Sequence, residues 1–103
     1  METFTQPKIT GYRQLSEAEA ALINEIKAKG AEIEALLAKV DDHLTDQYLA
    51  AKDTSKDDSP FDLPEEIKRI DRAQPRRWAA IGRTHFQEGL MALTRAVAQP
   101  SSF

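Results

Sequence analysis

An aromatic ring and an ammonium group stand near the start of this chain. Tyr12, in the stretch ITGYRQ, offers a flat π-face on which a base can stack while its hydroxyl stays free to hydrogen-bond. Gly11 before it permits a sharp turn. Lys27 follows about three turns into a helical pattern, where an ammonium suits a phosphate lying along a groove; a snorkelling surface lysine is the ordinary alternative. The other cations gather late. Residues 64–103 hold seven basic side chains, and six are arginines: Arg69, Arg72, Arg76, Arg77, Arg83 and Arg95. Forked guanidinium donors fit phosphate or carboxylate recognition, whereas simple pairing with acidic residues of the first half is the plain alternative. Arg83 and Thr84, in WAAIGRTHF, flank a face of small residues, and Arg76 and Arg77 open the same segment.

Catalytic chemistry finds little material. The sequence has no Gly-rich phosphate loop, no cysteine nucleophile and no paired-histidine metal motif. His43 stands alone in DDHLTDQY beside Asp41, Asp42 and Asp46, as at a solvated helix end. His85 could donate to a bound phosphate, although a packed, hydrogen-bonded core histidine is the commoner use of such a position. Glu65 and Glu66 sit where a helix's first turn would explain both. Nothing assembles a nucleophile, a base and oxyanion donors, so no catalytic centre, no metal and no cofactor is expected.

The elements that must position these groups are helical. Residues 1–15 form an arm with Pro7 and Gly11 and no helical periodicity. A long helix over 16–51 opens with a capping box, Ser16 with Glu19. Its seam of Ile23, Ile26, Gly30, Ile33, Leu37, Val40 and Leu44 alternates spacings of three and four. Gly30 lies on that seam, where it costs about 1 kcal/mol of helix propensity against alanine and so points to close approach by a helix or a ligand. Residues 52–63, KDTSKDDSPFDL, read as a polar loop and the natural place for disorder.

Residues 64–99 read as a short helix and a longer one. Asp62 can cap a start at Pro64, and Pro75 then separates the two helices. The last helix carries an apolar stripe, Phe86, Leu90, Leu93 and Val97, beside a stripe of mostly small residues, Gly82, His85, Gly89, Ala92 and Ala96. One face can pack the hairpin while the other meets a second chain. Residues 100–103 are a tail behind Pro100. The fold expected is all-α, a long helical hairpin with an extended N-terminal arm, assembling into a homo-oligomer as one domain of 103 residues.

Composition narrows the classes of function. Hydrophobic residues are 41% and charged residues 30%, the balance of a folded chain. The absence of cysteine removes disulfides and thiolate metal sites. A net charge of −3 argues against a protein that tracks DNA or RNA polymers. No run approaches the about 20 apolar residues of a membrane span, and the N-terminus lacks the pattern of a secretory signal, so an intracellular protein is expected.

The stretches ITGYRQLSEAEAALINEIKAKG and RRWAAIGRTHFQEGLMALTRAVAQPSSF together resemble the phage anti-CBASS sponge family, helical-hairpin proteins that sequester the cyclic nucleotide signals of bacterial immunity. The resemblance covers both ends of the chain, and RTHFQ…MALTRAVAQP is its most distinctive part. It implies a homohexamer, a trimer of dimers, acting in the cytoplasm of an infected bacterial host. Such an assembly would capture cyclic dinucleotides such as cyclic GMP-AMP, with cyclic trinucleotides in separate pockets. The family's base-stacking tyrosine and phosphate-contacting lysine would fall on Tyr12 and Lys27, with Gly11 beside them and Ser101 and Ser102 closing the dinucleotide pocket. Trinucleotide contacts would lie among Arg76, Arg77, Arg83 and Thr84.

Two further functions compete with the sponge. A coiled-coil scaffold or adaptor would turn its arginines to an acidic protein partner. A phosphodiesterase would destroy the signal, and it ranks lowest because no metal constellation is present.

Overall fold

A computed structural model describes residues 13–53 and 63–101 of the chain. Every regular element among them is a helix: α1 (Glu17–Asp53), α2 (Glu65–Ala73) and α3 (Pro75–Ala98). The architecture is all-α, with α3 returning along α1 as a hairpin and α2 packed at the far end. Residues 1–12, which include Gly11 and Tyr12 of the expected arm, residues 54–62 of the expected loop, and Ser102 lie outside the described residues.

The 37 residues of α1 span about 56 Å at 1.5 Å each. Its start is fixed by reciprocal capping: the Ser16 N–H donates to Glu19 Oε1 at 2.9 Å, and the Glu19 N–H donates to Ser16 Oγ at 3.1 Å. Ile23, Ile26, Gly30, Ile33, Leu37 and Leu44 of the seam are half-buried against α3, while Val40 stays more exposed. Leu90 Cδ1 would lie 3.4 Å from a Cβ placed on Gly30, so α3 comes close there without demanding a glycine.

Two Ala-Gln-Pro triplets end the later helices. Gln74 (φ 51°, ψ 52°) and Gln99 (φ 48°, ψ 57°) both adopt the left-handed conformation. The Gln74 N–H donates to the Ile70 carbonyl at 3.0 Å and the Gln99 N–H to the Arg95 carbonyl at 2.8 Å. The proline that follows each disfavours continued right-handed helix at the glutamine. Pro75 then begins α3 directly, where its missing N–H costs nothing. Pro64 occupies the position before α2, and no described side chain caps that helix; Asp62, the expected cap, lies outside the described residues.

The core is small. Among the described residues only Ala51, Ile67 and Ile70 are buried, where α2 folds against the end of α1. The apolar stripe of α3 divides: Leu90 and Val97 are half-buried, but Phe86 and Leu93 remain exposed. A single neighbouring helix covers only a narrow strip of α3, so a wider stripe has nothing further to meet among the described residues. Leu22, Leu36, Leu49, Trp78 and Met91 are exposed as well. No described helix is long and apolar enough to cross a membrane.

Candidate functional site

Near the end of the hairpin where α1 begins and α3 finishes, residues of both helices line a groove of about 420 Å³. Ile26, Lys27 and Gly30 form its α1 wall. Leu90, Met91, Thr94, Arg95 and Ala98 form the α3 wall, and Pro100 stands at the end. Those α3 positions recur at three and four residues, which puts them on one helical face. Lys27 and Arg95 are the charged residues of the lining. Thr94 spends its hydroxyl proton on the Leu90 carbonyl at 3.0 Å. Apolar walls with two cations suit a ligand that combines flat apolar faces with negative charge.

The same end is latched by Arg13. Its Nε donates to the Ala98 carbonyl at 2.9 Å and its Nη2 to the Val97 carbonyl at 2.8 Å. The guanidinium also forks onto Glu19, with Nη1 at 3.2 Å from Oε1 and Nη2 against Oε2. Glu19 therefore serves the helix cap and the latch together. Hydrogen bonds from Arg13, then from the Ser16 backbone and hydroxyl, hold its carboxyl down at about 2, and the Arg13 guanidinium is raised in turn. Sequence reading did not find this latch, because the carbonyls that Arg13 meets carry no side-chain signal.

The four residues expected around a trinucleotide occupy separate depressions of one chain. Arg76 and Arg77 line a hollow of about 240 Å³ with Tyr48 and Gln74. Arg77 and Thr84 share a second, of about 310 Å³, with His85. Arg83 and Thr84 share a third, of about 300 Å³, with Asp41. Thr84 and Arg77 thus link neighbouring hollows, and the structure does not bring all four to a single one. Pairing with the acidic first half holds for two of them. Arg83 Nη1 donates to Glu34 Oε1 at 3.2 Å, while Arg76 Nη2 donates to Thr45 Oγ1 at 2.8 Å with Asp41 at 4.0 Å from Nη1. Arg77 bonds Gln74 Oε1 at 3.3 Å and lies 5.3 Å from the Trp78 ring centroid. Arg69 pairs within its own helix with Glu66, which lowers the carboxyl and raises the guanidinium.

The two histidines carry no constellation. His85 is exposed, with Nδ1 4.0 Å from Glu88 Oε2, so it is not the packed core histidine that its position favoured. His43 is exposed on α1, and no described cluster of histidine and carboxylate could hold a metal ion. Of the expected dinucleotide set, Lys27 lines the groove and Ser101 follows Pro100 at its end. Gly11, Tyr12 and Ser102 lie outside the described residues. Met91, Thr94 and Arg95 were not singled out from sequence for this groove; their three- and four-residue spacing beside Leu90 was the available signal.

Residues 7–98 match the family described as the Acb2/Tad1 hairpin domain. The chain is also 44% identical over 99 residues to Anti-CBASS protein 2 of Pseudomonas phage JBD67, an alignment covering 90% of this chain and 92% of that protein.

Proposed function

The chain belongs to the Acb2/Tad1 hairpin family, an anti-CBASS family of phage, and from that premise we propose that it is a sponge for cyclic oligonucleotides. It binds and sequesters cyclic dinucleotides such as cyclic GMP-AMP, and cyclic trinucleotides elsewhere, without cleaving them. By removing the signal inside an infected bacterium it keeps host immune effectors silent.

The observation that carries this reading is the groove with Lys27 on one wall and Arg95 on the other, floored by Gly30 and sided by Ile26, Leu90 and Met91. A cyclic dinucleotide is a dianion with two flat bases, and such a lining answers both features. Tyr12 would stack a base at the mouth, and Gly11, Ser101 and Ser102 would shape the rim. Arg76, Arg77, Arg83 and Thr84 would meet the trinucleotide, gathered from several copies because one chain holds them apart.

Assembly into a homohexamer, a trimer of dimers, belongs to the same reading. A cyclic dinucleotide has near two-fold symmetry, and an isologous dimer presents each contact twice about its axis. The small buried core, and exposed Phe86, Leu93 and Met91 on α3, support a chain that gains apolar cover from its own copies. With no catalytic group, inhibition requires depletion of the signal, which needs a Kd near nanomolar, about −12 kcal/mol.

The test is to incubate the pure protein with cyclic GMP-AMP, remove unbound ligand, heat-denature the protein and identify what is released. Intact nucleotide supports the sponge. Linear product indicates a phosphodiesterase, and no uptake before heating favours the scaffold. Tyr12→Ala and Lys27→Ala should each weaken uptake at least tenfold with assembly unchanged, and normal uptake by both would displace the pocket.

A further inference from the structure

We propose that Arg13 is a positioning residue of the dinucleotide site: its guanidinium ties the chain that carries Tyr12 to the end of α3 that lines the Lys27 groove, and so sets the tyrosine ring beside the groove before a ligand arrives. The inference rests on the reading of that groove as the dinucleotide site, and it gives a role to a residue for which the family resemblance implied none.

The first argument is what Arg13 holds. Its Nε and Nη2 donate to the Ala98 and Val97 carbonyls at 2.9 and 2.8 Å. Ala98 lines the groove, and Pro100 stands at the groove's end. Both carbonyls belong to the last turn of α3, where a helix leaves its acceptors without backbone partners. Arg13 supplies the missing donors, so a residue ahead of α1 fixes the end of α3.

The second argument is where the latch stands on α1. The guanidinium forks onto Glu19, whose carboxylate also accepts from the Ser16 N–H. Glu19 precedes Ile26 and Gly30 of the groove at spacings that put all three on one helical stripe. The latch therefore joins the groove's own side of α1, about 10 Å before Ile26 at 1.5 Å per residue. A planar, forked guanidinium can meet one carboxylate and two carbonyls at once, which a lysine ammonium cannot match.

Donor arithmetic separates positioning from direct contact. Four of the five guanidinium N–H groups are engaged within the chain, by Ala98, Val97 and both oxygens of Glu19. Arg13 thus has little to offer a phosphate, and its bearing on the ligand runs through its neighbour Tyr12. Consecutive Cα atoms are about 3.8 Å apart, so holding Arg13 confines where the tyrosine begins. A ring confined in advance loses less freedom on binding, and affinity rises by that difference.

Calorimetric titration of the full chain with cyclic GMP-AMP tests this through a double-mutant cycle: the native protein, Arg13→Ala, Tyr12→Ala and the double variant, each held well below its melting temperature. Arg13→Ala should weaken binding about fivefold or more in the native background. Once Tyr12 is alanine the same change should cost less than about twofold, because the ring it positions is gone. A starting Kd near nanomolar keeps the double variant within measurable range. Arg13→Lys should recover only part, since charge returns without the fork. If Arg13→Ala does not fold, Arg13→Lys takes its place in the cycle: a loss seen only with Tyr12 present supports the role, and any other result overturns it. Equal losses in both backgrounds overturn the inference, because a residue that only holds the hairpin together, or that meets the ligand itself, acts whether or not the ring is there. Native affinity in Arg13→Ala, or in Tyr12→Ala, overturns this inference alone. A native chain that takes up no cyclic GMP-AMP, or normal uptake by both Tyr12→Ala and Lys27→Ala, overturns the groove reading as well.

Discussion

Arg13 Nε donates to the Ala98 carbonyl at 2.9 Å, so a residue just ahead of α1 closes on the last residue of α3. The two are 85 positions apart in sequence, and the bond locks the open end of a hairpin whose buried core lies at the other end. Glu19 completes the latch by binding the same guanidinium and capping α1.

That arrangement makes stability depend on acid. The folded chain holds Glu19 at about 2 against an ordinary 4.5, through Arg13 first and Ser16 second. The unfolded chain therefore takes up this proton at higher pH than the folded one. The stabilisation is fully present above the ordinary value and is lost as pH falls through the folded one. Melting temperatures recorded downward from about pH 5 should fall more steeply for the native chain than for Glu19→Gln, which has no such proton to bind. Parallel slopes would remove Glu19 from the latch.

A second prediction concerns the core. Ile67 is 2% exposed between α2 and the end of α1, and its truncation to alanine should cost about 2–5 kcal/mol in urea unfolding. Leu49→Ala, at a site 54% exposed, should cost less than about 0.5 kcal/mol in the isolated hairpin. A cost like that of Ile67 would show that another copy covers this stretch of α1.

Gly30 separates the demands of packing from those of binding. Its missing methyl would meet Leu90 Cδ1 at 3.4 Å, an ordinary contact that a leucine end can yield to. Gly30→Ala should therefore raise unfolding stability by up to about 1 kcal/mol through helix propensity. Gly30 also lines the Lys27 groove, so if that groove holds the ligand, calorimetry of Gly30→Ala should record weaker uptake of cyclic GMP-AMP. A destabilised variant would mean that the hairpin itself needs the glycine.

How much of this was legible in advance follows from which interactions are local. The capping box of Ser16 and Glu19 and the seam from Ile23 to Leu44, half-buried except at Val40, are written in spacing, because both repeat within a turn or two of one helix. Pro75 and Pro100 likewise mark breaks between and after helices, although the left-handed glutamines before them have no side-chain signature. Counting places Lys27 beside the seam, and the structure has it lining the groove. Counting does not find its neighbour across the groove, since the register of α3 on α1 decides that Arg95, rather than Arg83, stands opposite. The division of the apolar stripe of α3 was equally hidden. Periodicity shows that Phe86, Leu90, Leu93 and Val97 share a side, but not how wide a strip α1 can cover.

The uncovered side of α3 gives the last prediction. Among the described residues nothing lies within 4 Å of where a Cβ would stand on Gly82 or Gly89, so a side chain can leave the helix at either position. Gly89→Leu should even favour helix by up to about 1 kcal/mol, which circular dichroism of the melt would register. If this face receives α3 of another copy, the leucine must hold the two backbones apart, because small residues are what permit close approach. Sedimentation velocity at micromolar protein should then show the native chain as an oligomer and Gly89→Leu shifted to smaller species, with helix content retained. A native chain that sediments as a monomer would refute self-assembly, and an unshifted variant would move the interface to another face, such as the one bearing Leu22, Leu36 and Leu49 on α1.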